Sequence, residues 1–159
     1  MSPEQPALHP ELKPIEFLVG SWHGNGAGSY PGSQPFEYEE DLSFTHTGGP
    51  LLVYSMRTRH PGSGSALHSE LGFLKCTSGG EIHAVIAHAT GHVEVSRGSV
   101  EAGSVDFAST SIGSWGDADQ VVSLKRHLTV SGDLLNDSLQ MQAMGEQLQA
   151  HVAAELRRV

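Results

Sequence analysis

The chain predicts an all-β fold: a ten-stranded antiparallel up-and-down β-barrel with a short N-terminal helical cap. Three observations carry the prediction. From Trp22 onward apolar and polar residues alternate with a period of two, so that every second side chain faces the same way. Turn-forming clusters interrupt the alternation at short intervals, among them Gly48-Gly49-Pro50, Pro61-Gly62-Ser63-Gly64, Ser78-Gly79-Gly80 and Ser131-Gly132-Asp133. The segment Gly20-Ser21-Trp22-His23-Gly24-Asn25-Gly26-Ala27-Gly28 is too rich in glycine for a helix, where each Gly costs about 1 kcal/mol relative to Ala. A strand accepts such density where the backbone bends or something approaches it closely.

The elements follow in order. Residues 1–10 are Pro-rich and polar and read as a flexible tail. Residues 11–19 carry Leu12, Ile15, Phe17, Leu18 and Val19, which suits a short helix or turn capping the fold. The first strand spans 21–30, with Trp22 as the plug of one barrel end. The second spans 35–46, with Phe36, Tyr38, Leu42 and Phe44 on one face and Glu37, Glu39, Asp41 and Ser43 on the other. Further strands are expected at 51–59, 67–76, 81–88, 92–98, 103–110, 120–130, 134–144 and 147–158. Short connections make neighbours antiparallel. No repeat or shift in composition divides the chain, so residues 1–159 form one domain. Closure removes the exposed edges that so large a sheet would otherwise carry. A barrel of about ten strands is wider than the roughly eight that side chains alone can fill, so it encloses a cavity, and a cavity implies a small-molecule ligand.

Composition excludes several classes. The 159 residues carry a net charge of −9 with only nine Lys and Arg, a poor match to nucleic acid or anionic membranes. No apolar run is long enough for a transmembrane helix, and the N-terminus lacks the pattern of a secretory signal. Cys76 is the one cysteine, so no internal disulfide forms, which fits a cytoplasmic setting. Ten histidines exceed the count of Lys and Arg and point toward metal or cofactor ligation. No nucleophile elbow, phosphate loop or dinucleotide fingerprint occurs, so any chemistry comes from a cofactor.

Four blocks resemble one family. Gly20-Ser21-Trp22-His23-Gly24-Asn25-Gly26 fits the Gly-x-Trp-x-Gly-x-Gly signature of the nitrobindins, with Gly20, Trp22, Gly24 and Gly26 at its fixed positions. Gln34-Pro35-Phe36-Glu37-Tyr38-Glu39-Glu40, His68-Ser69-Glu70-Leu71-Gly72-Phe73-Leu74 and Thr90-Gly91-His92-Val93-Glu94-Val95 resemble later stretches of the same family. Nitrobindins are ferric haem-binding barrels of lipocalin-like or fatty-acid-binding-protein-like fold, also described as peroxynitrite isomerases. The resemblance implies one haem b per chain, with His151 as the axial iron ligand, Lys125 and Ser29 near the haem, and peroxynitrite isomerised to nitrate at the open iron position. It also implies that nitric oxide binds there. Monomer and homodimer are both compatible with it.

The residues themselves support part of this. Neutral imidazole on a rigid strand suits haem iron, and strand parity puts His151 on one face with Gln149 and Ala153, leaving room for a flat macrocycle. Its second ring nitrogen is expected to donate to a carbonyl, carboxylate or water. The glycines, Gly28 included, serve barrel curvature and Trp22 packing, or close approach to the haem. His88 shares parity with Ile82, Ala84 and Ile86 and points to an apolar interior. Two other classes remain open: a haem-based nitric oxide sensor, and a non-enzymatic carrier of a fatty acid or other apolar ligand, with Arg57, Arg59 or Arg126 holding its carboxylate.

Overall fold

The computed structural model describes residues 4–116 and 120–159; the first three residues of the expected flexible tail lie outside them. A 3-10 helix, Pro10–Leu18, precedes ten strands. These are β1 (Gly20–Gly28), β2 (Phe36–Thr45), β3 (Leu52–Arg59), β4 (Ala66–Cys76) and β5 (Glu81–His88), then β6 (His92–Glu101), β7 (Ser104–Ser114), β8 (Val121–Ser131), β9 (Leu134–Ala143) and β10 (Gln149–Arg158). Each strand pairs antiparallel with the next, and β1 pairs with β10, closing the barrel. The expected all-β barrel is what the chain adopts. No described helix is long and apolar enough to cross a membrane.

Pro14, inside the cap, has no N–H to give to the Pro10 carbonyl four residues back, as an α-helix would require, and the cap is a 3-10 helix. The His9 imidazole accepts the Glu11 N–H at its start. Leu12, Ile15 and Leu18 are fully buried and seal one end of the barrel over Trp22. The Trp22 indole N–H donates to the Leu18 carbonyl at 3.0 Å, tying plug to cap. The Arg158 guanidinium, near the end of β10, lies 4.1 Å from the centre of the Trp22 ring.

The motif glycines serve close packing. Gly24 sits opposite Leu156 of β10, and a Cβ there would collide with the Glu155 carbonyl and lie 2.9 Å from the Leu156 Cα. The buried Tyr38 ring occupies the place a Cβ on Gly26 would take. Gly24→Ala is therefore expected to lower stability by about 1–3 kcal/mol, as overpacking does, read as a drop in the urea midpoint. An unchanged midpoint would mean that the β1–β10 seam can spread without cost.

The interior divides into two apolar clusters separated by charge. Leu128 of β8 and Leu135 of β9 belong to the large cluster that includes Trp22, Leu42, Phe44, Tyr54, Ile86 and Leu156. Leu124 and Leu139 belong to a smaller one with Val121, Met141 and Ala143. The residues between them on the same inward faces are Arg126 and Asp137, both buried. Glu40, Glu70, Glu94, His88 and His92 are also buried inside the barrel.

Candidate functional site

One cavity of about 340 Å³ runs from the barrel mouth, at Tyr30, Phe36, Leu67, His151 and Val152, past Leu124, Leu139 and Met141 to Glu40, Glu70, His88, Arg126 and Asp137. Its upper walls are apolar and its floor is ionic.

His151 stands on β10 at the mouth. The pairing of β10 with β9 shifts between Ala150 and Val152, so His151 is the extra residue of a β-bulge. The bulge breaks the parity expected from the sequence: Gln149 and Ala153 are exposed, while Val152, next to His151 in the chain, lines the cavity beside it. The residue just beyond β1 grips His151 twice. The Ser29 N–H donates to the His151 carbonyl at 2.8 Å, and the His151 Nδ1–H donates to the Ser29 carbonyl, also at 2.8 Å. That bond consumes Nδ1 and leaves Nε2 as the nitrogen available to the cavity. The Tyr30 ring packs 4.4 Å from the imidazole and Phe36 6.4 Å from it. Burial lowers the His151 pKa against the opposing pull of the Ser29 carbonyl, which favours neutral imidazole.

The other two expected cofactor residues fall differently. Ser29 meets the site through its backbone carbonyl. Lys125 lies between the inward Leu124 and Arg126, so its own side chain is exposed on the outer face of β8 and does not line the cavity. Trp22, Gly24 and Gly26 build the β1 seam and the sealed end, and Gly20 opens β1 at a positive φ of 136°.

The floor is an ion-pair network in which the expected inward residues His88 and Arg126 meet buried carboxylates that the sequence reading did not single out. Arg126 reaches Glu70 at 2.8 and 3.0 Å and Asp137 at 2.7 Å, all buried. The Tyr54 hydroxyl donates to Glu70 Oε2 at 2.7 Å. His68 Nε2 and His88 Nδ1 each lie 3.3 Å from Glu70 Oε1, and His88 Nε2 lies 3.4 Å from Glu94 Oε1. Burial alone would raise Glu70, but the Arg126 guanidinium, helped by His68 and His88, holds its carboxyl well below the usual carboxylate range. Burial and the charge of Asp137 push Glu40 well above it. Burial would lower His88, yet Glu70 and Glu94 raise it to about 9. Its stacked neighbour His92, 4.2 Å away, is lowered to about 4, first by burial and then by the charge on His88. His88 thus faces inward as expected, but toward carboxylates and not an apolar interior.

The signal for this floor was parity. Glu40 falls on the face of Tyr38 and Leu42, and Asp137 between Leu135 and Leu139. The same network bears on the arginines expected to hold a fatty-acid carboxylate. Arg57 is exposed, Arg59 pairs on the outer face with Glu39 and Asp41, and Arg126 is already engaged by two carboxylates. Among the described residues no free guanidinium faces the cavity.

Comparison with known proteins agrees with the architecture. Residues 11–158 match the family model of the THAP4-like, heme-binding beta-barrel domain. The chain is 41% identical to peroxynitrite isomerase 1 of Mycolicibacterium paratuberculosis, over 95% of this chain and 96% of that protein. It is 40% identical to the peroxynitrite isomerase of Nocardia farcinica, over 96% of this chain and 93% of that protein. The crystal structure of Rv2717c from M. tuberculosis superposes with a TM-score of 0.92 at 40% identity, covering 96% of this chain and 99% of that one.

Proposed function

The chain belongs to the family of THAP4-like, heme-binding β-barrel domains, and from that premise we propose that it is a haem-dependent peroxynitrite isomerase with His151 as the axial iron ligand. The observation that carries the proposal is the bond from His151 Nδ1 to the Ser29 carbonyl. It fixes the tautomer and ring orientation, as the outer partner of a metal-bound histidine does, and raises the basicity of Nε2. The residues present fit a haem. Low pKa keeps the imidazole in the neutral form that metals require, and Tyr30, Phe36, Leu67, Leu124, Leu139, Met141 and Val152 supply apolar walls.

Bound there, ferric haem would supply a Lewis-acidic iron for rearranging peroxynitrite to nitrate. The chain's own part is to hold, orient and desolvate. Tyr30 and Phe36 fix the imidazole plane, and the apolar walls exclude water from the reacting anion. Isomerisation makes no net demand for protons, so a dry pocket matters more here than a protein acid or base. Nitric oxide is proposed as a second ligand of the same site. Ser29 acts through its carbonyl, and Lys125, on the outer face, is left out of the site. The acidic floor disfavours the carrier reading, since a fatty-acid carboxylate would meet Glu70 and Asp137.

A haem titration followed by visible absorption tests the assignment. A saturable Soret band at one haem per chain, with nitrate as the product of accelerated peroxynitrite decay, is the expected result. Failure to saturate would overturn it.

A further inference from the structure

The floor of the cavity holds a second cluster whose geometry the haem reading does not use. We propose that His68, Glu70 and His88 bind a divalent transition-metal ion of the zinc(II) or iron(II) class.

Spacing is the first argument. Zinc bonds to imidazole nitrogen and carboxylate oxygen are about 2.0–2.1 Å, so the edges of a tetrahedral site are about 3.3–3.4 Å. Glu70 Oε1 lies 3.3 Å from His68 Nε2 and 3.3 Å from His88 Nδ1. All three ligand atoms fall within 4.8 Å of one another. Two imidazoles and one carboxylate are a borderline donor set, suited to zinc, iron, cobalt and copper more than to magnesium or calcium. Three protein ligands leave a coordination position open to the cavity that they line.

The surroundings are the second argument. Glu70 presents its two oxygens to different partners. Oε2 takes the shorter bond from Arg126 and the bond from Tyr54, while Oε1 faces both imidazoles, and a metal there would replace its 3.3 Å hydrogen bond with His68 Nε2 and its 3.0 Å contact to Arg126. Behind His88, the Glu94 Oε1 atom lies 3.4 Å from Nε2, the place of the carboxylate that orients a metal-bound histidine. Glu94 is 1% exposed, and its other oxygen accepts the Ser96 hydroxyl at 3.0 Å. Neither Glu94 Oε1 nor His88 Nε2 has a hydrogen-bond partner of good geometry, and His92 Nε2, on the ring stacked against His88, has none either. Partnerless buried atoms of this kind call for an explanation, and an ion at the three ligands accounts for two of them by drawing the Nε2–H of His88 onto Glu94.

The rival account is a metal-free network in which His88 bridges Glu70 and Glu94 as a cation. Cobalt(II), added to the full-length chain as purified and again after haem extraction, separates the two by its visible d–d bands. The expected result is one cobalt per chain in at least one of these preparations, displaced by zinc. His68→Ala should abolish saturable binding, and Glu94→Gln should weaken it about 10–100-fold, the usual cost of losing such an outer partner. His68 is only half-buried, and circular dichroism on both variants checks that the barrel is intact. No saturable cobalt spectrum in either preparation would overturn the proposal. So would binding that His68→Ala leaves unchanged, which would place the ion on surface histidines. Because the readout does not involve haem, failure of the haem titration leaves this test standing.

Discussion

His151→Ala is expected to abolish retention of haem, with the Soret band of the bound form lost and affinity lowered at least about 100-fold. The barrel should survive the change. His151 is half-buried at the rim of the cavity, and its backbone bond to Ser29 does not depend on the side chain. A second arm makes the result specific. Free imidazole added to the variant should restore a six- or five-coordinate haem spectrum in part, because truncation leaves room beside Tyr30 and Phe36 for a small heterocycle. Ser29→Ala should leave the spectrum close to that of the wild type, since the carbonyl that holds Nδ1 belongs to the backbone. Full haem affinity in His151→Ala would remove this residue from the site and leave the family assignment without a ligand.

Arg126→Met is expected to cost about 3–5 kcal/mol, the usual penalty for removing one partner of a buried ion pair. For a chain of this size that is a fall in melting temperature of roughly 6–20 °C. The guanidinium is 2% exposed and engages both Glu70 and Asp137, so its loss leaves two carboxyls facing each other in the interior. Adding Glu70→Gln and Asp137→Asn to the variant should recover part of the loss. The pH dependence has a definite sign. Glu70 is held well below its ordinary pKa in the folded wild type. Its contribution is therefore present above the unfolded carboxylate value of about 4.3 and is lost as pH falls through the folded one. The gap between wild type and Arg126→Met should then be widest near neutrality and narrow below about pH 4. A gap that widened in acid would mean that Glu70 is not ionised in the fold.

Much of the fold was legible in the sequence, because alternation and turn chemistry are local. The strand expected at 81–88 coincides with β5, and those at 51–59 and 67–76 differ from β3 and β4 by one residue. The strand expected to end at 98 instead runs to Glu101, since Gly98 pairs across the ladder with Phe107 and does not turn the chain. The site was less legible. Family resemblance singled out His151, but parity gave it the wrong neighbours, because a bulge is set by pairing with β9 and has no local signature. Lys125, singled out by the resemblance, lies on the outer face because it alternates with the inward Leu124 and Arg126. The carboxylates of the floor were visible only as exceptions, polar residues on apolar faces, whose partners lie far away in the chain, as Glu70 and Arg126 do.

The double grip of Ser29 on His151 spans the seam between β1 and β10, the first and last strands of the barrel. All the other ladders join consecutive strands and can form as the chain is made, whereas this one waits for β10. Closure of the barrel and the fixing of the His151 imidazole thus depend on the same seam. On the assignment proposed above, a chain that has not closed this seam has no oriented imidazole to offer a haem.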